Sequence, residues 1–158
     1  MSGYDSTGSN LRHSLRVGAL MVQMISELAE RSVRHDLSKV EPPERDVFDE
    51  FTPKLATLTY GSDEYKACLA AMGPALDHHY ASNRHHPEHF PDGVAGMTLV
   101  DLIEMLADWK AATERHDDGS LLRSLGIQRD RFGLSDQLVT ILTNTAAHYG
   151  WLDDGDSS

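Results

Sequence analysis

Cysteine is almost absent from this chain, which contains only Cys68. A single cysteine cannot form an internal disulfide or a cysteine-based zinc site, and this scarcity favours a reducing, cytoplasmic setting. No apolar run approaches the ~18 residues that a membrane-spanning helix needs. The first ten residues, "MSGYDSTGSN", lack the charged-then-apolar order of a signal peptide. The sequence therefore predicts a cytoplasmic protein with no membrane partner.

Basic residues are also scarce, because 14 Lys and Arg stand against 25 Asp and Glu, for a net charge of −11. A surface that binds duplex nucleic acid needs clustered Lys and Arg, so no duplex partner is expected. A small phosphorylated substrate stays open, since a pocket that holds a metal can oppose the global charge. The oligomeric state is not fixed by the sequence, and a homodimer stays open.

Alternating strand patterns are missing, whereas helical periodicity recurs along the chain. The length of 158 residues suits one domain, and 40% apolar residues suffice for a core. We predict an all-α, single-domain, compact helical bundle of about five to seven helices. Its expected divisions are a flexible arm at 1–9, a helical domain at 10–150 and a frayed acidic tail at 151–158.

The first four helices are predicted from periodicity and from start and stop residues. The first, at about 10–30, is apolar on two sides and is therefore expected to be central. The second runs from Pro43 or Glu44 to about 58, and Pro53 is a point of interruption. The third begins after an N-cap at Ser62 and stops at Gly73. The fourth begins at Pro74 and carries a histidine cluster to about His86.

The second half of the chain is divided in the same way. Residues 90–96 are predicted to form a loop, and Thr98 is expected to cap a helix that runs from 99 to about 116. A short helix is expected at 120–125 and a loop at 129–133. Ser135 is expected to cap the last helix, which ends at about 149.

Histidine is abundant, with nine in the chain and five of them between positions 78 and 89. In "RHDLSK" (34–39), His35 and Asp36 are adjacent. This pair is either half of a metal site or a helix end at which His35 meets the last carbonyls. His13 lies on an apolar stripe and is expected to point inward, either as a ligand or as a core histidine bonded to a carbonyl.

The helix with the histidine cluster has a predictable inner face. Leu76, His79, Asn83 and His86 are spaced 3, 4 and 3 residues apart, which puts them on one side of a helix. We therefore expect His79 and His86 to point inward and to reach one or two metal ions, while His78 and His85 lie beside them. Zinc, iron and manganese accept imidazole nitrogen. The alternative is a set of capping or surface histidines.

Asp108 is a further candidate, although helical periodicity argues against it. The apolar residues of the helix at 99–116 gather on one side, and Asp101, Glu104 and Asp108 lie roughly opposite. Periodicity alone predicts that this acidic face is solvated. Asp108 becomes a ligand only if the face lines a cleft.

The order His13, His35-Asp36, Asp108 resembles that of the HD superfamily of metal-dependent phosphohydrolases. "HDLSK" is similar to the "HDIGK" or "HDLGK" signature of that family, and "ADWKAATER" resembles the "ADVYDALTSxR" segment of HD-GYP phosphodiesterases. The chain also resembles a group of short phage and bacterial proteins that carry "HDLSK" and a His-rich helix. The Gly-Tyr-Pro element is absent, which argues against cyclic dinucleotides, and Ser38 stands in place of the usual Gly.

The resemblance implies an HD-type fold and one or two divalent ions, drawn from Mn, Fe, Co, Ni, Zn or Mg. Its implied ligands are His13, His35, Asp36 and Asp108, joined by His79 and His86 as in dinuclear members. Asp36 is the implied bridging ligand and, with Lys39, part of the catalytic centre. Lys39 is implied to face a substrate phosphate. Arg84 and Arg115 flank the ligands and are either candidates to clamp this phosphate or solvent-facing helix arginines.

These observations favour a phosphohydrolase that acts on a nucleotide or another small phosphoester. A divalent ion lowers the pKa of bound water toward 7 and neutralises phosphate charge. Two alternatives stay open, an HD-like di-iron oxygenase with the same ligand order and a non-catalytic metal-binding or interaction protein with an HD-like fold. Metal content and redox state separate the first alternative from the hydrolase, and normal folding without metal indicates the second.

Overall fold

A computed structural model describes residues 5–59, 61–115 and 119–152. The prediction of an all-α fold with five to seven helices is confirmed, because these residues form seven α-helices, α1–α7, and no strand. The contacts divide the chain into two compact units, Met1–His35 and Asp36–Ser158. The first four residues of the predicted arm and residues 153–158 of the predicted tail lie outside the described residues, and the predicted domain boundaries stay predictions.

The first unit contains a single helix, α1, which spans Thr7–Arg34. It begins three residues earlier and ends four residues later than its periodicity predicted. Its last turns carry two (i, i+4) ion pairs, Glu27–Arg31 and Glu30–Arg34, an arrangement that stabilises a helix by a few tenths of a kcal/mol. A single helix has no core of its own, and the expectation that α1 is central stays a prediction.

The second unit contains six helices. They are α2 (Arg45–Leu55), α3 (Asp63–Ala71), α4 (Pro74–Ser82), α5 (Leu99–Thr113), α6 (Leu121–Phe132) and α7 (Asp136–His148). Short 3-10 helices lie at Leu37–Val40, Pro87–His89 and Gly93–Gly96.

The predicted start signals of α3, α4, α5 and α7 are confirmed. The side chains of Ser62 and Ser135 accept from backbone N–H groups at the beginnings of α3 and α7. Pro74 is the first residue of α4. Thr98 and Asp101 form a reciprocal capping box at the start of α5. The first turn of a helix leaves backbone N–H groups without an intrahelical partner. The capping side chains accept from such groups, and Pro74 has no N–H to satisfy.

The ends of two helices were predicted wrongly. The helix with the histidine cluster ends at Ser82, not at about His86, because Asn83 adopts an extended backbone. Residues 129–132 are not a loop but the last turn of α6, which Gly133 ends in the left-handed conformation at φ 61°. The predicted segment 90–96 contains a 3-10 turn at Gly93–Gly96. The helix α5 ends at Thr113. Its predicted end, at about 116, lies outside the described residues.

The core of the second unit lies between α5, α6 and α7. Its buried members include Met105, Leu106, Trp109, Leu121, Leu125, Leu142 and Ala146. Leu106 and Trp109 therefore place one side of α5 in this core. The opposite side faces the histidines of α4 and of the segment that follows it. Within the part of the chain that the structure describes, no helix combines the length and the apolar character needed to cross a membrane.

Candidate metal centre

Asp36 has an unusual backbone conformation. It lies at φ 58°, ψ 15°, in the left-handed region, and is the only residue other than glycine with a positive φ among those described. Aspartate tolerates this region better than most residues, but the conformation still costs about 1 kcal/mol. The turn directs the carboxylate of Asp36 toward α4 and the segment after it. Asp36 also opens the 3-10 helix Leu37–Val40, whose Lys39 Nζ donates to Asp36 Oδ2.

Four side chains bring their ligand atoms together at this carboxylate. One atom each from Asp36, His79, His85 and His86 lies within 4.8 Å of the others. Asp36 Oδ1 is 3.5 Å from Nε2 of His79 and 3.5 Å from Nε2 of His85. Nε2 of His79 and Nε2 of His86 are 2.9 Å apart. His79 and His85 are each 2% exposed, and Asp36 and His86 are partly buried, so most of the group is shielded from solvent.

These separations match those between the ligands of a single ion. Nitrogen and oxygen ligands lie ~2.0–2.2 Å from a divalent ion such as zinc. Two such ligands at 90–109° from each other are therefore about 2.9–3.5 Å apart. The three measured separations fall in this range, so the group can hold a metal ion.

A second group of ligand atoms overlaps the first. Asp36 and His85 each offer an atom within 4.8 Å of a carboxylate oxygen of Asp108. Asp36 and His85 are thus shared between the group that contains His79 and His86 and the group that contains Asp108. A shared carboxylate at the centre of two groups is the arrangement expected for a bridging ligand.

Glu44 orients His79 from the side away from the ligand group. Its carboxylate is fully buried, and Oε2 lies 2.9 Å from Nδ1 of His79. Because a carboxylate only accepts hydrogen bonds, Nδ1 carries the proton and Nε2 presents its lone pair toward Asp36 and His86. A metal-binding histidine characteristically donates its other ring N–H to a carboxylate in this way.

His85 also has a carboxylate near its Nδ1, that of Glu104 in α5. Nδ1 of His85 lies 3.3 Å from Oε1 of Glu104, while Nε2 faces Asp36. The Glu104 side chain is only 15% exposed. Two buried imidazoles thus point their Nε2 atoms at one carboxylate, each with a second carboxylate behind its Nδ1.

Ser38 and Asn83 connect the parts of this arrangement. Ser38 Oγ donates to Glu44 Oε2 at 2.9 Å and accepts from Asn83 Nδ2 at 2.8 Å. The Asn83 side chain also donates to the backbone carbonyl of His79 at 2.8 Å. Glu44 accepts in addition from Nδ1 of His78 at 2.7 Å, so His78 points to Glu44 rather than into the ligand group. Ser38, where glycine is usual in the resembling signature, therefore has a structural role here.

Burial favours the neutral form of two imidazoles in this group, those of His79 and His86. Burial is the main cause that lowers the pKa of His79, with the Lys39 ammonium contributing. Burial, followed by the neighbouring His85 and His79, lowers the pKa of His86 to about 2. A neutral imidazole has the free lone pair that a metal requires, so these histidines need no deprotonation to bind one near neutral pH.

The structure brings together four of the six predicted metal ligands, namely Asp36, His79, His86 and Asp108. The other two, His13 and His35, belong to the unit Met1–His35, and their role as ligands stays a prediction. Sequence reasoning missed His85 and its neighbour Glu104. It also missed Glu44, the partner of His79. His85 was placed beside the inner face because α4 was expected to continue past Ser82, whereas the chain leaves the helix there and His85 is as buried as His79.

The acidic side of α5 is not solvated, so the prediction from periodicity that this side faces solvent was wrong. Asp101 is fully buried, and Glu104 and Asp108 are mostly covered. Asp101 accepts a bidentate pair from Arg84, with distances of 3.1 and 3.0 Å. The face that carries these carboxylates packs against the region that follows α4, so both sides of α5 are covered.

The two arginines proposed to clamp phosphate occupy different surroundings. Arg84 is half-exposed, holds Asp101 and lies over the ring of Phe90, 4.9 Å from its centre. Arg115 is exposed just beyond the end of α5. Lys39 is mostly covered and lies 5.1 Å from the centre of the Phe48 ring. The substrate-binding roles of these three residues stay predictions.

Comparison with known proteins adds a family and no activity. A family model described as a family of unknown function (DUF5662) matches residues 4–148 of the chain. No curated protein matches the chain, and no solved structure does.

Proposed function

The chain belongs to the DUF5662 family, and from the buried ligand group we propose that it is a metal-dependent phosphohydrolase. The substrate is a nucleotide or another small phosphoester, and the setting is cytoplasmic. The observation that carries the proposal is the pairing of His79 with Glu44 and of His85 with Glu104, with both Nε2 atoms directed at Asp36. Metal-binding histidines characteristically donate their second ring N–H to a carboxylate, which leaves the other ring nitrogen for the ion.

The residues fit a divalent ion. Asp36, His79, His85 and His86 supply three imidazole nitrogens and one carboxylate, and Asp108 with the shared pair offers room for a second ion. Nitrogen-rich sets of this kind favour Zn, Fe, Mn, Co or Ni over Mg. When bound, the ion supplies an activated water near neutral pH and offsets the phosphate charge.

Other groups of the chain prepare the reaction. Glu44 accepts the Nδ1 proton of His79, and the Glu104 carboxylate lies beside Nδ1 of His85, so each imidazole directs its Nε2 atom inward. Lys39 places an ammonium beside Asp36, where it can pair with a phosphate oxygen. Hydrolysis adds water across the ester: the water oxygen bonds to phosphorus, the ester P–O bond breaks, and the leaving oxygen takes up a proton. Lys39 offsets the negative charge that the phosphate brings to this buried site.

The test combines metal analysis with a substrate screen. The full-length protein is purified without chelator, its metals are quantified, and released phosphate is measured over a panel of nucleotides and small phosphoesters. We expect near-stoichiometric divalent metal and phosphate release that stops when metal is removed and resumes when it is restored. The variant Asp36→Asn should lose both the metal and the phosphate release. Its control is Asp46→Asn, which changes an exposed aspartate of α2.

Other results would assign other functions. Iron in a mixed-valent pair together with oxygen uptake, and no phosphate release, would contradict the hydrolase and favour a di-iron oxygenase. A protein that folds fully without metal and binds none would contradict both enzymes and leave an interaction protein.

A further inference from the structure

The helix α1 carries a large apolar surface that is exposed. It spans Thr7–Arg34, and none of its residues is buried. Nine of its large apolar side chains are 40–76% exposed: Leu11, Leu15, Val17, Leu20, Met21, Val22, Met24, Ile25 and Val33. An apolar surface of this extent characteristically marks a site of interaction with another macromolecule.

One stripe of α1 has the spacing of a paired helix. It consists of residues at intervals of 4, 3, 4, 3 and 4: Leu11, Leu15, Gly18, Val22, Ile25 and Ala29. This alternation is the 3.5-residue repeat of positions that face a second helix in a two-stranded coil. The intervals are also the same from either end, with their centre at position 20. This palindromic stripe therefore matches a second copy of itself that runs in the opposite direction.

A second apolar stripe lies on a nearly opposite side of α1. It consists of Val17, Leu20, Met24 and Leu28. One neighbour covers one side of a helix, so two such stripes need two neighbours. The large side chains of the palindromic stripe are 57–76% exposed, whereas Val17, Leu20 and Met24 are 40–46% exposed. The palindromic stripe is thus the one that most needs a partner from outside the chain.

The charges of α1 favour an antiparallel pair. Arg12 and Glu30 are separated by about five full turns of helix, so they lie on one line along α1, beside the palindromic stripe. In an antiparallel pair centred on position 20, Arg12 of one copy comes opposite Leu28 of the other, about 3 Å of helix rise from Glu30. In a parallel pair, Arg12 would instead face a second Arg12. Glu30 Oε1 accepts from Arg34 at 3.2 Å, and a carboxylate has a second oxygen for a further arginine.

The exposed area agrees with what a specific dimer requires. Met21 lies beside the palindromic stripe and is 52% exposed. It joins Leu11, Leu15, Val22 and Ile25 as the large apolar side chains that a second copy would cover. At roughly 100 Å² for a side chain of this size, the five residues in two copies bury about 1,000 Å², the area at which specific interfaces begin.

We propose that α1 is an interface between two copies of this chain, which pair antiparallel along the palindromic stripe. The two-fold axis lies near position 20, as closed symmetric dimers require of a self-complementary surface. Leu15 of one copy packs against Ile25 of the other, and Gly18 packs against Val22. An added Cβ at Gly18 would meet no described atom within 4 Å, so glycine leaves room there for the partner's valine. The pairing does not depend on the proposed function.

Sedimentation equilibrium of the full-length protein tests the stripe. We expect a dimer whose Kd rises at least tenfold in Val22→Glu, because the new carboxylate faces the apolar stripe of the other copy. Val17→Glu, on the second stripe, is the matched control and should leave Kd unchanged. Circular dichroism checks that both variants keep their helix content. A monomeric wild type would leave the stripe to the rest of the chain and overturn the proposal, as would equal Kd values in the two variants.

A charge exchange tests the direction of the pair. Arg12→Glu and Glu30→Arg should each raise Kd at least threefold, because like charges then meet across the pair. The double variant Arg12→Glu/Glu30→Arg should restore the wild-type Kd, since opposite charges meet again. A parallel pair keeps like charges together in the double variant as well, so absence of this restoration would overturn the antiparallel arrangement.

Cross-linking tests the register without relying on dimer strength. In a Cys68→Ser background, Leu15→Cys/Ile25→Cys should give a covalent dimer with a short thiol-specific cross-linker, seen on a denaturing gel. Within one helix these positions are about 15 Å apart, and across the pair they meet. Each single variant should stay unlinked, because its two copies are also about 15 Å apart. A covalent dimer from Leu15→Cys alone would show a parallel pair, and an unlinked double variant would overturn the proposed register.

Discussion

Glu44 Oε2 lies 2.9 Å from Nδ1 of His79, although the two residues are 35 positions apart in the chain. Both side chains are almost completely buried. Glu44 comes directly before α2 and His79 lies in α4, so the contact requires that these elements pack together. The contact fixes which nitrogen of His79 is free, and the candidate site depends on that choice.

Glu44→Gln should weaken metal binding by about 10- to 100-fold, the usual effect of losing a carboxylate behind a metal-binding histidine. The amide keeps the shape of Glu44 but not its charge, so Nδ1 of His79 is held less firmly. The affinity for Zn or Mn is measured by competition with a chromophoric chelator. Glu41→Gln, an exposed neighbour, is the matched control, and equal affinities in the two variants would remove Glu44 from the site.

Asp36→Ala should abolish stoichiometric metal binding, because Asp36 is shared by both ligand groups. Alanine at a positive φ also adds backbone strain of about 1 kcal/mol. Asp36→Asn separates the two effects, since asparagine tolerates the left-handed region. We expect the melting temperature to fall more in Asp36→Ala, while elemental analysis finds metal lost in both. Full metal content in Asp36→Asn would show that the proposed centre is wrong.

The histidines should separate into two classes. His79→Ala, His85→Ala and His86→Ala should lose metal, whereas His78→Ala should retain most of it because His78 is directed to Glu44. His89→Ala is the control outside the ligand group, since Nδ1 of His89 donates a hydrogen bond to the backbone carbonyl of Tyr80. Periodicity alone predicts that His85 behaves like His78, so metal content measured for His85→Ala decides between the helical phase and the tertiary structure.

Lys39→Met should keep the fold and the metal but lose at least tenfold in kcat/KM on the phosphoester that the screen identifies. A charge-assisted bond to phosphate is worth roughly 1.5–3 kcal/mol, or about 10- to 100-fold in rate. The measurements are steady-state kinetics, metal content and the melting curve. Unchanged turnover would exclude Lys39 from the site, and a large drop in melting temperature would assign it a structural role through Asp36 and Phe48.

Arg84→Met tests whether Arg84 binds substrate or holds the fold. It removes the bidentate partner of Asp101, which is fully buried and also accepts from Thr98. We expect a loss of about 2 kcal/mol in the free energy of unfolding, the order of cost for a buried acceptor whose partner is removed. Chemical denaturation measures it. A variant of wild-type stability with a raised KM would instead place Arg84 at the substrate.

Local rules in the sequence determined the helical class and most helix starts. Ser62, Pro74, Thr98 and Ser135 act within one turn of themselves, so a cap or a proline can be read without knowledge of the fold. The same local information identified Asp36 as a candidate ligand and placed His79 on a buried face. Each of these features depends on a short segment of the chain, and the structure shows the predicted caps, the proline at the start of α4 and the buried His79.

Only the tertiary structure decided which residues surround Asp36. Asn83 donates to the carbonyl of His79 and to Ser38 Oγ, and a side chain bonded in this way competes with helix continuation. The helix therefore ends at Ser82, and His85 enters the site from an irregular segment that has no period to predict its direction. The partners Glu44 and Glu104 are likewise defined by contacts between distant elements. Periodicity assigns α5 one buried side, but a helix packed on both sides buries its carboxylates against partners that only the fold supplies.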